Sequence, residues 1–136
     1  MKKLSVFKTG FVFLVAGLLL SLPFNSFSQD PAVIEIQVSP NVLNLQNNGQ
    51  VVTVHTEIAY SLVMAQSVSM NGIEIYSWKA DLQGNFVAKF LMEEIVGLDL
   101  NINDYNTLTL TGSLVGGGTF TGSDQVMVIN VIPKGK

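Results

Sequence analysis

Between residues 105 and 132 the chain alternates with a period of two, and few folds accept such a stretch. Thr107, Thr109, Thr111 and Ser113 are interleaved with Leu108, Leu110, Gly112 and Leu114. Successive side chains of a strand point to opposite faces, so this is a strand with one polar and one apolar side. Gly116, Gly117 and Gly118 follow, residues that take positive φ at no steric cost, and the chain returns through residues 119–124 into Val126, Met127, Val128 and Ile129. The segment reads as a long antiparallel hairpin folded at Gly117. That fold point sets Leu114 opposite Phe120 and Gly112 near Gly122, with a β-bulge at Gly122. The hairpin implies an all-β domain.

The first 28 residues have a different character. Lys2, Lys3 and Lys8 precede an apolar run over residues 11–20, Pro23 breaks it, and Ser26 and Ser28 supply the small residues that a signal peptidase reads. This predicts a signal peptide over residues 1–28, cleaved before Gln29. The apolar run falls short of the ~20 residues that span a bilayer, and no cysteine is present to carry a lipid. The expected product is an exported protein, periplasmic or extracellular, with residues 29–136 as one domain and no membrane attachment after the signal is removed.

Charge and cysteine usage exclude several classes. Residues 29–136 hold four lysines against ten carboxylates, a net charge of −6, and the chain has no arginine. Such a surface lacks the cations that release counterions from nucleic acid and the bidentate reader of guanine, so no nucleic-acid partner is expected. The absence of cysteine rules out disulfide, thiolate-metal and cysteine-nucleophile chemistry, and leaves the apolar core to hold an exported domain together. No cofactor is expected.

The rest of the chain reads as further strands. Ile34, Ile36 and Val38 alternate with polar residues until Pro40, where a strand must break or change sheets. Val42, Leu43 and Leu45 resume it, and Asn48-Gly49 marks a turn. Val52, Val54, Thr56 and Ile58 predict an inner face, with Thr53, His55 and Glu57 outward. Val63, Ala65, Val68 and Met70 are the expected core contacts of the next segment. One alternating strand is predicted over residues 73–78, and Phe86, Ala88 and Phe90 line another. Leu91, Ile95 and Leu98 recur at helical spacing, which predicts a short crossover helix near residues 91–97. About seven strands separated by turns at roughly ten-residue intervals give a two-sheet Greek-key sandwich.

In this order, Val38-Ser39-Pro40, Leu43-Asn44-Leu45, Val52-Thr53-Val54, Met70-Asn71-Gly72, Val87-Ala88-Lys89-Phe90, Leu108-Thr109-Leu110-Thr111-Gly112 and Phe120-Thr121-Gly122-Ser123-Asp124 resemble the sequence flow of small immunoglobulin-like sandwich domains that recur in exported bacterial and archaeal proteins. The resemblance implies an immunoglobulin-like fold in an exported module and no defined activity. The loop that is often rich in aspartate in similar domains has here the single carboxylate of Asp81, so it gives no support to a calcium role.

Four groups of residues are candidates for function. Glu74, Tyr76 and Trp78, on one face of the strand predicted over residues 73–78, make an aromatic platform suited to stacking a sugar ring, with Trp78 in the core as the competing placement. Asp99, Asn101, Asn103 and Asp104 carry oxygens in a spacing that resembles the start of a calcium loop. Asp104 stands where that loop needs glycine and Leu110 where it needs the bidentate glutamate, so a loop of Asx turns is the stronger reading. His55 and Glu57 are too few to complete a metal site. Met127, Ile129 and Val131 make the last strand apolar on a second side, a surface for self-association or another exported protein. Tyr105 is placed to pin the loop before the hairpin. No G-x-S-x-G context or acid–base pair appears, so the expected function is a non-catalytic binding or structural module, with glycan binding through Tyr76 and Trp78 as the alternative.

Overall fold

The computed structural model describes residues 30–47, 49–132 and 134. The signal segment expected over residues 1–28, with its cleavage point, lies outside them. Alternating residues form strands almost throughout: β1 (Ala32–Val33), β2 (Ile36–Ser39), β3 (Val42–Asn44), β4 (Val51–Ala59), β5 (Val63–Met70), β6 (Ile73–Glu74), β7 (Ser77–Ala80), β8 (Asn85–Leu91), β9 (Asp104–Leu114) and β10 (Thr119–Ile129). A 3-10 turn (Tyr60–Leu62) follows β4, and the helix α1 (Met92–Val96) connects β8 to β9. One sheet has the order β1-β10-β9-β5-β6, with β3 also paired to β10; the other has the order β2-β4-β8-β7. The fold is all-β in two sheets, and α1 carries the chain from one to the other.

The strands outnumber the seven read from sequence because two of those are cut where the chain changes sheets. The first is cut twice. β1 lies parallel to Phe120 and Thr121 of β10, β2 pairs with β4 in the other sheet, and β3 returns to lie parallel to Met127–Ile129. The second change falls at Pro40, after a cis peptide from Ser39. At the first, the Ile34 amide donates to the Thr121 carbonyl at 2.8 Å, and a Cβ on Gly122 would stand 2.7 Å from the Ile34 carbonyl oxygen. Glycine at 122 is therefore what lets the crossing segment lie against β10. Asp124 completes the attachment: its carboxylate accepts the Val38 amide of β2 at 2.9 Å, joining a strand of one sheet to a strand of the other.

The hairpin forms, but in another register. β9 and β10 pair without interruption from Asp104 opposite Val128 to Ser113 opposite Thr119, so Gly112 faces Phe120 and Gly122 faces Leu110. There is no bulge at Gly122. The loop closes through Gly117 N–H to the Leu114 carbonyl and Leu114 N–H to the Gly118 carbonyl, with positive φ at Gly117 and Gly118. The fold point is thus one residue earlier than the sequence reading placed it. Packing selects this register, because the Phe120 ring occupies the space that a Gly112 side chain would fill. The irregularity lies in β5 instead, where the pairing with β9 shifts between Thr111 and Ser113. Ser67 bridges the gap, accepting the Ser113 amide at 2.8 Å and donating to the Met64 carbonyl at 2.6 Å.

The core fills the space between the sheets. Val52, Val54, Phe86, Ala88 and Phe90 from one side meet Met70, Leu108, Leu110, Phe120, Val126 and Val128 from the other, all fully or nearly fully buried. Burial of each large side chain stabilises by about 1.5–3 kcal/mol, and no cysteine supplements this in the whole chain. Met92 and Ile95 of α1 close one end of the core. The one buried hydroxyl of β4, on Thr56, donates to the Phe86 carbonyl at 2.7 Å, so it adds no unpaired polar group.

Gly112→Ala is expected to destabilise the domain by ~1–3 kcal/mol, since its Cβ would stand 2.7 Å from the Phe120 ring. Gly116→Ala, where nothing lies within 4 Å, serves as the comparison and should change stability by about 0.5 kcal/mol or less. Urea denaturation of the two variants checks this.

Candidate functional site

The strand predicted over residues 73–78 is two strands in different sheets. Ile73 and Glu74 pair with β5, whereas Ser77–Ala80 pair with β8. The change falls between Ile75, whose amide donates to Val68 in one sheet, and Tyr76, whose amide donates to Lys89 in the other. Inward positions shift with it: Ile73 and Ile75 face the core before the crossing and Trp78 after it. Trp78 stands opposite the buried Ala88 and packs, half-buried, against the core. Tyr76 is 58% exposed at the crossing. Glu74, Tyr76 and Trp78 therefore do not share one face of one strand.

Asp99, Asn101 and Asn103, in the loop between α1 and β9, and Asp104, the first residue of β9, are all exposed. The fixed point of that loop is Asn106, a buried residue at the start of β9. Its amide nitrogen donates to the Asn101 carbonyl at 2.8 Å and the Asp104 carbonyl at 3.1 Å, while its oxygen accepts the Asn101 amide at 2.8 Å. The clamp expected from Tyr105 is made by its neighbour, and the Tyr105 ring lies 59% exposed on the outer face of the sheet. Strand parity accounts for the exchange, since Asn106 shares the inward face with Leu108 and Leu110. The Asp104 carboxylate accepts the Tyr105 amide, and the Asn103 backbone amide donates to the Val128 carbonyl of β10. The carboxylate of Asp81 likewise accepts the amides of Gln83 and Asn85, at 2.9 Å each, to close the turn between β7 and β8.

His55 and Glu57 project outward from β4, with His55 paired to Gln37 and Val87. Among the described residues no three His, Cys, Asp or Glu side chains are grouped so as to hold a metal ion. No described helix is long and apolar enough to cross a membrane.

Met127 and Ile129 face outward from β10, opposite in parity to the buried Val126 and Val128. Val131 lies past the end of the strand, its backbone held by the Asn44 side chain through bonds of 2.8 and 3.1 Å. The register adds two residues that sequence reasoning did not assign to this surface. Met127 is flanked by Val42 of β3 and Tyr105 of β9, which are 46% and 59% exposed. Three strands thus present an apolar row, Val42–Met127–Tyr105, on the outside of the sheet. The parity of Tyr105 with Thr107 was a signal of its outward placement; the pairing of Val42 with Met127, 85 positions apart, had none.

The outward positions of the two long strands that carry this row bear no charge. Every second residue from Tyr105 to Ser113 on β9, and from Thr119 to Ile129 on β10, faces out, and all are hydroxyl, amide or apolar. By contrast the outward positions of the β2-β4-β8-β7 sheet include Glu57, Lys79 and Lys89. Comparison with protein-family models, with curated proteins and with solved structures gives no match.

Asn106→Ala is expected to cost ~1–3 kcal/mol, because it removes three part-buried hydrogen bonds to the backbone at Asn101 and Asp104. Tyr105→Ala, which removes an exposed ring, should stay within about 0.5 kcal/mol of the parent. Thermal unfolding of the two single variants distinguishes a clamp at 106 from one at 105.

Proposed function

We propose that this chain is an exported, non-catalytic, immunoglobulin-like sandwich that acts in recognition or structural support, meeting another protein through the outer face of the β10-β9-β5 sheet. The strand order supports the immunoglobulin-like part. One sheet runs first strand, second, fifth, fourth (β2-β4-β8-β7), and the other carries the last, sixth and third (β10-β9-β5), when the pieces of the divided strands are counted together. The helix α1 then lies on the connection from the fifth strand to the sixth.

The observation that carries the recognition reading is the uncharged outer face with its row Val42–Met127–Tyr105. Protein interfaces are marked less by overall hydrophobicity than by depletion of charge at their centre, together with enrichment in tyrosine and methionine. A face of this composition on an acidic chain fits a contact that excludes water. The glycan alternative has weaker support, since Trp78 turns toward the core and leaves Tyr76 as the exposed ring of the pair.

A photo-crosslinking residue at position 127, introduced in cells that export the protein, is expected to give a covalent adduct with a protein. The same residue at position 37, on the other sheet, should give none. Adducts at neither position, or protection of Trp78 from acrylamide quenching by a soluble glycan, would overturn this reading in favour of the alternative.

A further inference from the structure

We infer that the occupant of this face is a second copy of the chain, packed sheet to sheet about a two-fold axis that runs along the strands between β9 and β10. The inference rests on the recognition reading above and names its partner.

Size supports it. β9 and β10 have eleven residues each, about 36 Å at ~3.3 Å per residue. The four positions from β3 across β10 and β9 to β5 span about 19 Å at ~4.8 Å per strand. Only β9 and β10 run the full length, with eight residues of β5, three of β3 and two of β1 beside them. The face therefore offers about 550 Å² per copy. Two copies would bury about 1,100 Å² in all, above the ~1,000 Å² that marks a biological interface. The apolar contribution extends to its margins, where Val33 beside Thr121 and Met64 beside Ser113 are 83% and 51% exposed.

Charge supports it further. Two copies that each carry −6 over residues 29–136 repel one another. At the outward positions of β3, β9 and β10 two such chains can meet without opposing carboxylates or desolvating a charge. Glu74, in the edge strand β6, is the one carboxylate that the register places on that face, and it sits at the margin remote from β10.

Self-complementarity fixes the axis. The apolar row lies at one end of the strands and the hydroxyl-bearing residues fill the rest. An axis across the strands would set the apolar row of each copy against threonine hydroxyls. An axis along them sets like against like: Tyr105 of one copy over Met127 of the other, a favourable sulfur–aromatic pairing, and hydroxyls over hydroxyls. At the centre, Thr109 and Ser123 are cross-strand neighbours whose hydroxyls lie 2.8 Å apart. About this axis, Thr109 of one copy faces Ser123 of the other.

Sedimentation equilibrium of the purified exported protein tests this. The wild type should show the mass of two chains. Thr109→Lys and Ser123→Glu, each placing a charge at the centre, should each weaken self-association by about 100-fold, and an equimolar mixture of the two should recover a dimer. Gln37→Lys, which adds the same charge to the outer face of the other sheet, should remain dimeric. Both face positions lie on the outside of a strand, and circular dichroism verifies that the variants are folded. A monomeric wild type, a dimer indifferent to both charges, or a mixture that stays monomeric would overturn the proposal. A monomeric wild type that still crosslinks from position 127 to a different protein would overturn self-association alone; a monomer that crosslinks to nothing would overturn the recognition reading with it.

Discussion

The pairing of β9 with β10 is the constraint on which the rest of the molecule depends. Ten consecutive cross-strand pairs, from Asp104–Val128 to Ser113–Thr119, form its longest ladder. β10 holds both detached pieces of the first strand along one edge, and β9 holds β5 along the other. Its register is set by packing rather than by the turn. With Gly112 under the Phe120 ring and Gly122 opposite Leu110, each glycine has a large side chain across from it, and the missing volume is filled. A slip of two residues would place the two glycines opposite one another and leave a void in a core that has no covalent bridge to support it.

The two sheets are joined by the chain itself. The first strand passes from one to the other and back, β6 and β7 divide a strand between them, and α1 bridges them at one end. Single polar groups hold one crossing and several connections. The Asp124 carboxylate on Val38 ties the two sheets. The Asn44 amide on Val131, the Asn106 amide on Asn101 and the Asp81 carboxylate on its own turn fix the segment after β10, the loop before β9 and the β7–β8 turn. Most of the singular polar residues are thereby accounted for by architecture. What architecture does not require is an uncharged outer face on one sheet of an acidic chain.

Much of this was legible in the sequence. Period-two alternation identified the hairpin, the inner faces of β4 and β8, and the all-β class; helical spacing at Leu91, Ile95 and Leu98 anticipated α1. Local pattern failed where the deciding interaction is distant. Three consecutive glycines permit several fold points, and the choice among them is made by Phe120 on Gly112. The alternation over residues 73–78 continued through a change of sheet, so parity extrapolated from Ile73 put Trp78 outside when it faces in. The visible sign was the spacing Ile73, Ile75, Trp78, whose last step is odd. At the candidate surface, Met127 and Ile129 were legible from the two-sided apolarity of the last strand. Val42 was not, because its place beside Met127 depends on a parallel pairing to a distant strand.

The functional account thus reduces to one surface, the uncharged outer face of β3, β10 and β9, and to its burial against a second chain. Hydroxyl-radical footprinting of the unmodified protein over a range of concentrations tests it most directly. Oxidation of Tyr105, Met127 and Met64 should fall as concentration rises, while that of Tyr76, exposed at the crossing between β6 and β7, stays constant. Rates for Tyr105 and Met127 that do not depend on concentration, or protection confined to Tyr76, would contradict the account.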